Sequence, residues 1–478
     1  MLFNSAGFAV FFIFVFSLYW FVFNKSLKWQ NIFLAVCSYF FYGCWDWRFM
    51  FLLGFSTFLD YFSGLKIFES NTASKKKFWL ILSVGLNLGF LGFFKYYNFF
   101  IESFAELLSS VGFTPHMTTL NIILPVGISF YTFHGLSYVF DIYFGKIKPT
   151  RNWIDYSLFV SFFPLLVAGP IERATHLLPQ VEKPRVFNYS KAVDGLRQIL
   201  WGLFKKVVVA DNCAELANTI FNNHQHYSGS TLVLGAMLFA IQIYGDFSGY
   251  SDIALGTARL LGFELLQNFR FPYFSRDIAE FWRRWHISLS SWFRDYLYFP
   301  LGGSRGGMAK TIRNTFIIFL VSGFWHGANW TFLAWGGLNA LFIMPSIIFK
   351  TNRRNLDTVA QGRMLPSIRE FCQLILTFCL ASFAWIFFRA ESITDAFMYI
   401  KEIFSATLFQ SPDVISGKVI AIVGVFMLIE WLGRENKYAL EKLTLKWKRP
   451  LSWAFYYLII LAILCFTGSE QQFIYFQF

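Results

Sequence analysis

The sequence predicts an all-α, polytopic transmembrane protein of about 11–13 spans. Re-entrant and interfacial helices accompany those spans. Three observations carry the prediction. First, 56% of the 478 residues are hydrophobic and 14% are charged, where a soluble chain has about 25% charged residues. Phenylalanine contributes 64 residues, tryptophan 17 and tyrosine 22. A single soluble core stops growing at roughly 250–300 residues and could not hide that surface. Second, apolar runs close to the length of a bilayer crossing recur along the chain. Third, Lys and Arg collect on alternate connections. Strands of about ten alternating residues, the mark of an outer-membrane barrel, are missing. A cytosolic enzyme, a disordered chain and a disulfide scaffold are all excluded. The net charge of +13 reads as membrane orientation and not as nucleic-acid binding.

The first run, 6–24, lacks a basic segment before it and an A-x-A site after it. It is therefore read as a permanent helix and not as a cleavable signal. Further spans are expected at 29–46, 48–68, 78–100, 120–143, 195–211, 230–249, 312–328, 330–349, 371–389, 416–433 and 452–469. The run 153–169 ends in Ala168-Gly169-Pro170 and reads as a re-entrant hairpin, which is tolerated where protein or a wet cavity surrounds it. Lys25 and Lys28, then Lys75 to Lys77, then Lys146, Lys148 and Arg151 mark inside connections. Residues 102–119 and 211–230 hold no Lys or Arg. The alternation puts the N-terminus outside the cell. Lys205 and Lys206 sit late in their span and fit it poorly.

One domain is expected over 1–478. Within it, 259–313 is a basic inside segment, with nine basic residues against four acidic. In its middle, 277–298 reads as one amphipathic helix. Ile278, Phe281, Trp282, Trp285, Leu289, Trp292, Phe293 and Tyr296 recur at spacings of three and four. Such a helix should lie in the interface plane. Anchoring to lipid explains its charges, and so does a landing surface for an anionic cytoplasmic ligand.

Six cysteines form no CxxC pair, so neither a redox motif nor a zinc site is written here. Of seven histidines, His116, His224 and His226 fall in outer loops, and His176 lies in a polar stretch. His326 differs. It sits in 321-VSGFWHGANW-330 between two apolar runs, where an ionisable residue is expensive. Neutral imidazole is suited to taking a proton from a hydroxyl. An interfacial histidine beside a tryptophan belt is the competing explanation. His286 falls at the edge of the apolar face of 277–298 and could point into a cleft or sit at headgroups. Asp246 and Asp252 lie in apolar surroundings and need partners; Arg259 or Arg276, nearby in sequence, could supply them. The turn 301-LGGSRGG-307 could contact phosphate through its amides or serve only as a flexible turn. A Walker loop, H-E-x-x-H and G-x-S-x-G are all missing, so neither ATP hydrolysis nor a serine elbow is supported.

Taken together, 281-FWRRWHISLSSWFRDYLY-298 followed by Pro300-Leu-Gly-Gly303 strongly resembles the membrane-bound O-acyltransferase family. The bacterial branch that modifies cell-envelope polymers, with alginate O-acetyltransferase and the D-alanyl transfer protein of teichoic acid, is the nearest in wording. Supporting stretches are 124-LPVGISFYTF-133, 168-AGPIER-173, 246–256, 323-GFWHGANW-330 and 473-FIYFQF-478. The resemblance implies that His326 is the catalytic histidine and His286 the second histidine of the site. It also implies helices enclosing a tunnel or funnel. Trp325, Asn329, Trp330, Asp252, Arg283, Arg284, Trp285 and Ser288 are then candidates for the path of the acyl donor, with Asn329 or Trp330 as oxyanion donors. No bound cofactor or metal is expected. Acetyl-CoA, or a carrier thioester, would be the donor on the cytoplasmic side. An SGNH-type extracytoplasmic partner and an exported polysaccharide would receive the group, at a bacterial inner membrane. The cargo could instead be D-alanine, and a polysaccharide exporter without acyl chemistry is the reading from another class. One departure from the family is Asn339, where many bacterial relatives carry histidine.

Overall fold

The structure, a computed structural model, describes residues 1–113, 119–167, 169–468 and 471–474. Among them every regular element is helical. Five helices are long and apolar enough to cross a bilayer: Trp47–Glu69, Ala73–Ser110, Gly229–Leu260, Trp330–Ile348 and Ile368–Arg389. Ala6–Val22 and Arg449–Cys465 are apolar but shorter. The protein is thus a multi-pass membrane protein, although fewer helices satisfy both length and apolarity than the sequence count suggests. Backbone contacts group into two compact units, 1–191 with 258–266, and 192–257 with 267–478.

The first unit contains α1 (Ala6–Ser17), α2 (Leu27–Gly43), α3 (Trp47–Glu69), α4 (Ala73–Leu91), α5 (Tyr97–Ser110), α6 (Ile128–Tyr143), α7 (Trp153–Ser161), α8 (Phe163–Leu166) and α9 (Ala174–Val181). Side-chain caps set the starts of four of them: Ser5, Asp46, Thr72 and Asn152 each accept a bond from a first-turn N–H, satisfying donors the helix itself cannot. α6 begins at Ile128 and not at the expected 120. Pro125 removes a donor, and Gly127 takes a left-handed φ of 73° against the Leu166 carbonyl. The run 153–169 breaks at Phe162, with Pro164 in the first turn of α8. Ala168, at the expected tip of that hairpin, lies outside the described residues, as does His116. Asp60 of α3 is buried and accepts from Ser83 (2.6 Å) and Asn87 (2.7 Å) of α4, so a polar clasp joins two membrane helices. Asp141 pairs with Lys146, and His176 with Glu172 at 2.8 Å.

The second unit is built from α10 (Tyr189–Leu203), α11 (Asp211–Asn222), α12 (Gly229–Leu260), α13 (Ile278–Arg284), α14 (Ile287–Phe293), α15 (Met308–His326), α16 (Trp330–Ile348), α17 (Ile368–Arg389), α18 (Ile393–Ile403), α19 (Gly417–Gly433) and α20 (Arg449–Cys465). Helix α10 runs through a π-helical stretch, Phe204–Ala210, directly into α11. That wider turn carries Lys205 and Lys206, both buried, which explains their awkward position in the sequence. They are the partners of the embedded carboxylates: Lys205 meets Asp252 at 2.5 Å and Lys206 meets Asp246 at 2.8 Å. The arginines expected in that role pair elsewhere, Arg259 with Glu264 and Arg276 with Glu280 and Asp357.

Helices α15 and α16 form a tight pair. A β-carbon on Gly323 would strike the Phe332 carbonyl, and one on Gly336 would strike the Phe319 carbonyl. Small residues permit this approach. Gly336→Ala is therefore expected to force the pair apart. Overpacking typically costs about 1–3 kcal/mol, readable as a lower thermal midpoint in detergent. An unchanged midpoint would mean that the crossing does not need this glycine.

Candidate active site

The expected helix over 277–298 is not continuous. It is α13, a break at Trp285-His286, then α14 and a π-helical turn, Arg294–Tyr298. Trp285 is extended, and His286 has φ 43° and ψ 53°, a left-handed conformation costly for a non-glycine residue. The neighbouring segment imposes it: Arg270 N–H donates to the Arg284 carbonyl (2.9 Å), and Ile287 N–H donates to the Asn268 carbonyl (2.9 Å). Those two bonds replace helical bonds on either side of the break.

The segment is packed within the protein. Its apolar face is buried, and so are Glu280 and Arg284 on the opposite side. Glu280 satisfies both Arg276 and Arg284 within the protein, so the charges need no water. Arg283 donates to the carbonyls of Asn352 (2.6 Å) and Asn355 (2.7 Å), and Arg284 also reaches the Arg270 and Asp357 carbonyls. These arginines knit the 350–358 loop to α13. In the glycine-rich turn, the Leu301 and Gly303 carbonyls accept from Asn314, tying that turn to α15.

The break brings His286 to His326. The two ring centroids lie 6.4 Å apart. His326 ends α15, where Gly327 leaves the helix in an extended conformation. Both rings are buried, with exposures of 1% and 3%. Trp325 flanks both, 6.0 Å from the His286 ring and 4.9 Å from that of His326. Trp335 (5.1 Å) and Phe388 (5.3 Å) complete the wall around His326; Phe247 (4.7 Å) packs edge-on against His286. Two imidazoles inside aromatic walls experience little screening, so a proton transfer there is felt strongly. Burial lowers the pKa of His286, which keeps the ring neutral.

The other sequence candidates divide. Ser288 is buried and donates to Asn268 Oδ1 at 2.9 Å. Trp285 is buried among Phe281, Phe269 and Trp385 as packing behind His286. Asp252 lines a narrow polar cleft with Lys205, Ser248, Ser251, Asn268 and Glu430. Asn329 caps α16, accepting from Thr331 N–H and donating to the Glu391 carbonyl, and Trp330 is 55% exposed. Asn339 accepts from Trp282 Nε1 (3.2 Å) and donates to the Trp335 carbonyl (2.8 Å), a link behind the wall. Among the described residues, no group of three or more His, Cys, Asp or Glu is arranged to hold a metal ion. His224 lines a second cavity with Arg389, Glu391 and Asp395, beside the turn whose Phe388 packs on His326.

Sequence reasoning missed Asn268, Trp335 and Phe388. Asn268 is buried, accepts from His286 Nδ1 (3.0 Å) and Ser288, and donates to Ser251 Oγ (3.2 Å). It lies in an irregular stretch with no periodicity, and nothing in 267-QNFRFP-272 sets it apart from a surface turn. Trp335 and Phe388 read as ordinary membrane aromatics.

Comparison with known proteins points to one family. The model of the membrane-bound O-acyltransferase family matches residues 147–388, a stretch that includes both histidines. A probable alginate O-acetylase, AlgI, of Pseudomonas putida is 36% identical over 94% of this chain and 95% of its own. A peptidoglycan O-acetyltransferase of Helicobacter pylori is 35% identical over 84% of this chain and 79% of its own. The teichoic acid D-alanyltransferase of Bacillus subtilis is more distant, 27% identical over 58% and 71%.

Proposed function

The chain belongs to the membrane-bound O-acyltransferase family, and from that premise we propose that it moves an acetyl group from cytoplasmic acetyl-CoA for O-acetylation of an exported polysaccharide. The protein would sit in a bacterial inner membrane with its N-terminus extracytoplasmic, and an SGNH-type partner would complete the transfer. The observation that carries the chemistry is the meeting of His286 and His326 in one dry aromatic enclosure. In this reading His326 takes the proton of the incoming hydroxyl, and the oxygen attacks the thioester carbonyl. The C–S bond then breaks, and the imidazolium returns its proton to the departing thiolate. No ATP is consumed at the site, because the thioester is already activated. A tunnel from the cytoplasm, with Asp252 and Ser288 along it, is part of the proposal. Approach of the acceptor through the cavity lined by His224, Arg389, Glu391 and Asp395 is also part of it.

The nearer relatives named as acetylases support acetyl over D-alanyl cargo. An exporter without acyl chemistry is overturned by the family. Membranes containing the protein are expected to transfer label from radioactive acetyl-CoA to polymer or partner. Labelling only from a carrier protein loaded with D-alanine would replace acetyl by D-alanyl.

A further inference from the structure

We propose that Asn268 is a positioning residue that fixes the tautomer of His286, with the ring proton on Nδ1 and the lone pair on Nε2. The inference rests on the proposed role of the two histidines, but its geometry stands by itself. Asn268 grips the turn twice. Its backbone carbonyl takes the Ile287 N–H (2.9 Å), which fixes the residue after His286. Its side-chain Oδ1 takes His286 Nδ1 (3.0 Å) and the Ser288 hydroxyl (2.9 Å), while its Nδ2 donates to Ser251 Oγ on α12 (3.2 Å). An amide oxygen can only accept, so the imidazole nitrogen facing it must carry the hydrogen. A neutral imidazole has one such hydrogen, and Nε2 is then an acceptor.

The consequence is chemical. His286 in this tautomer cannot donate a proton from Nε2 until it has first received one there. It can accept a proton from a hydroxyl or from protonated His326 across 6.4 Å between ring centres, directly or through a substrate atom. A hydrogen bond to the nitrogen turned away from the reaction orients a functional histidine as surely as ring packing does. Here the left-handed turn at His286 aims the ring, and Asn268 decides which nitrogen does which task.

Several of the described groups face His286. Phe247, Phe269 and Trp325 are apolar walls. His326 is the titratable ring beside it. Along α12 the charges of Asp246 and Asp252 are met by Lys206 and Lys205, and on α13 Glu280 is met by Arg276 and Arg284.

The test is 15N NMR of the full chain, labelled at histidine and held in nanodiscs, with His286→Gln used to assign the signal. The wild type is expected to show a protonated Nδ1 and an unprotonated Nε2 for His286. Ser288→Ala should leave that pattern intact, and Asn268→Ala should lose it to a mixture. A wild-type signal with the proton on Nε2 would mean that the amide is turned the other way and would overturn the proposal. Asn268→Asp keeps the acceptor but adds a negative charge opposite Nδ1–H, which favours imidazolium. It should move the acid limb of the turnover–pH profile up by about 1–3 units. A merely structural role would lower turnover without moving that limb, and that result would also overturn the assignment. The NMR signal needs no turnover, so an incorrect acyltransfer reading and an incorrect tautomer would be told apart.

Discussion

Replacing His326 by alanine is expected to lower acetyl transfer by about 10²–10⁴-fold, the usual contribution of a positioned general base. The protein should remain at wild-type abundance, because Trp335 and Phe388 pack on His326 but also on each other and on Trp385. The wall therefore persists when the imidazole is gone. Label transferred from acetyl-CoA, normalised to protein in the membrane, is the measurement. His326→Gln should be no better, since a glutamine amide fills the space but takes up no proton. Residues that act as a unit are not additive, so His286→Ala combined with His326→Ala should be little worse than the poorer single variant. Normal acetylation in His326→Ala would remove the catalytic assignment. Additive losses would show instead that the histidines serve separate steps.

Much of this arrangement is written in the sequence, and the omissions have physical causes. Helical elements are legible because apolar runs and capping residues are local signals. Their ends are less so: the run from 120 to 143 is apolar throughout, yet Pro125 and Gly127 delay the helix to Ile128. The spacing of Phe281, Trp285, Leu289 and Trp292 correctly marks a buried face. Periodicity is blind to the break at His286, because the bonds that stabilise the break come from Asn268 and Arg270, distant in helical register. Both histidines can be found from motif wording, but the aromatic wall cannot. Trp335 and Phe388 come from α16 and α17, and only packing reveals that they face the same ring. Buried charges follow the same rule. Asp246 and Asp252 announce that partners must exist, yet the partners, Lys206 and Lys205, are supplied by a π-helical turn that no sequence period predicts.

Lys206→Met is expected to be the most destabilising single change remote from the histidines. Lys206 Nζ is held by Asp211 (2.7 Å), Asp246 (2.8 Å) and the Gln471 carbonyl (2.9 Å), with the side chain almost wholly buried. Removing one member of a buried ionic group leaves charge without compensation and costs about 3–5 kcal/mol; here two carboxylates would be stranded. The thermal midpoint in detergent should fall and the protein should become scarce in membranes. Adding Asp211→Asn and Asp246→Asn to Lys206→Met should recover part of the loss, because amides carry no charge to strand. A loss explained by shape alone would not be recovered that way, and an unchanged midpoint in Lys206→Met would refute the argument. The effect should also reach the site. Asp246 accepts the Ile474 N–H at 2.7 Å, and Phe473 packs against Tyr250 (4.6 Å) and Phe247 (5.9 Å). Phe247 in turn lies edge-on to His286. Loosening the ionic group should therefore free the 471–474 segment and soften the wall behind His286. Partially rescued variants should then recover their melting midpoint more fully than their rate of transfer.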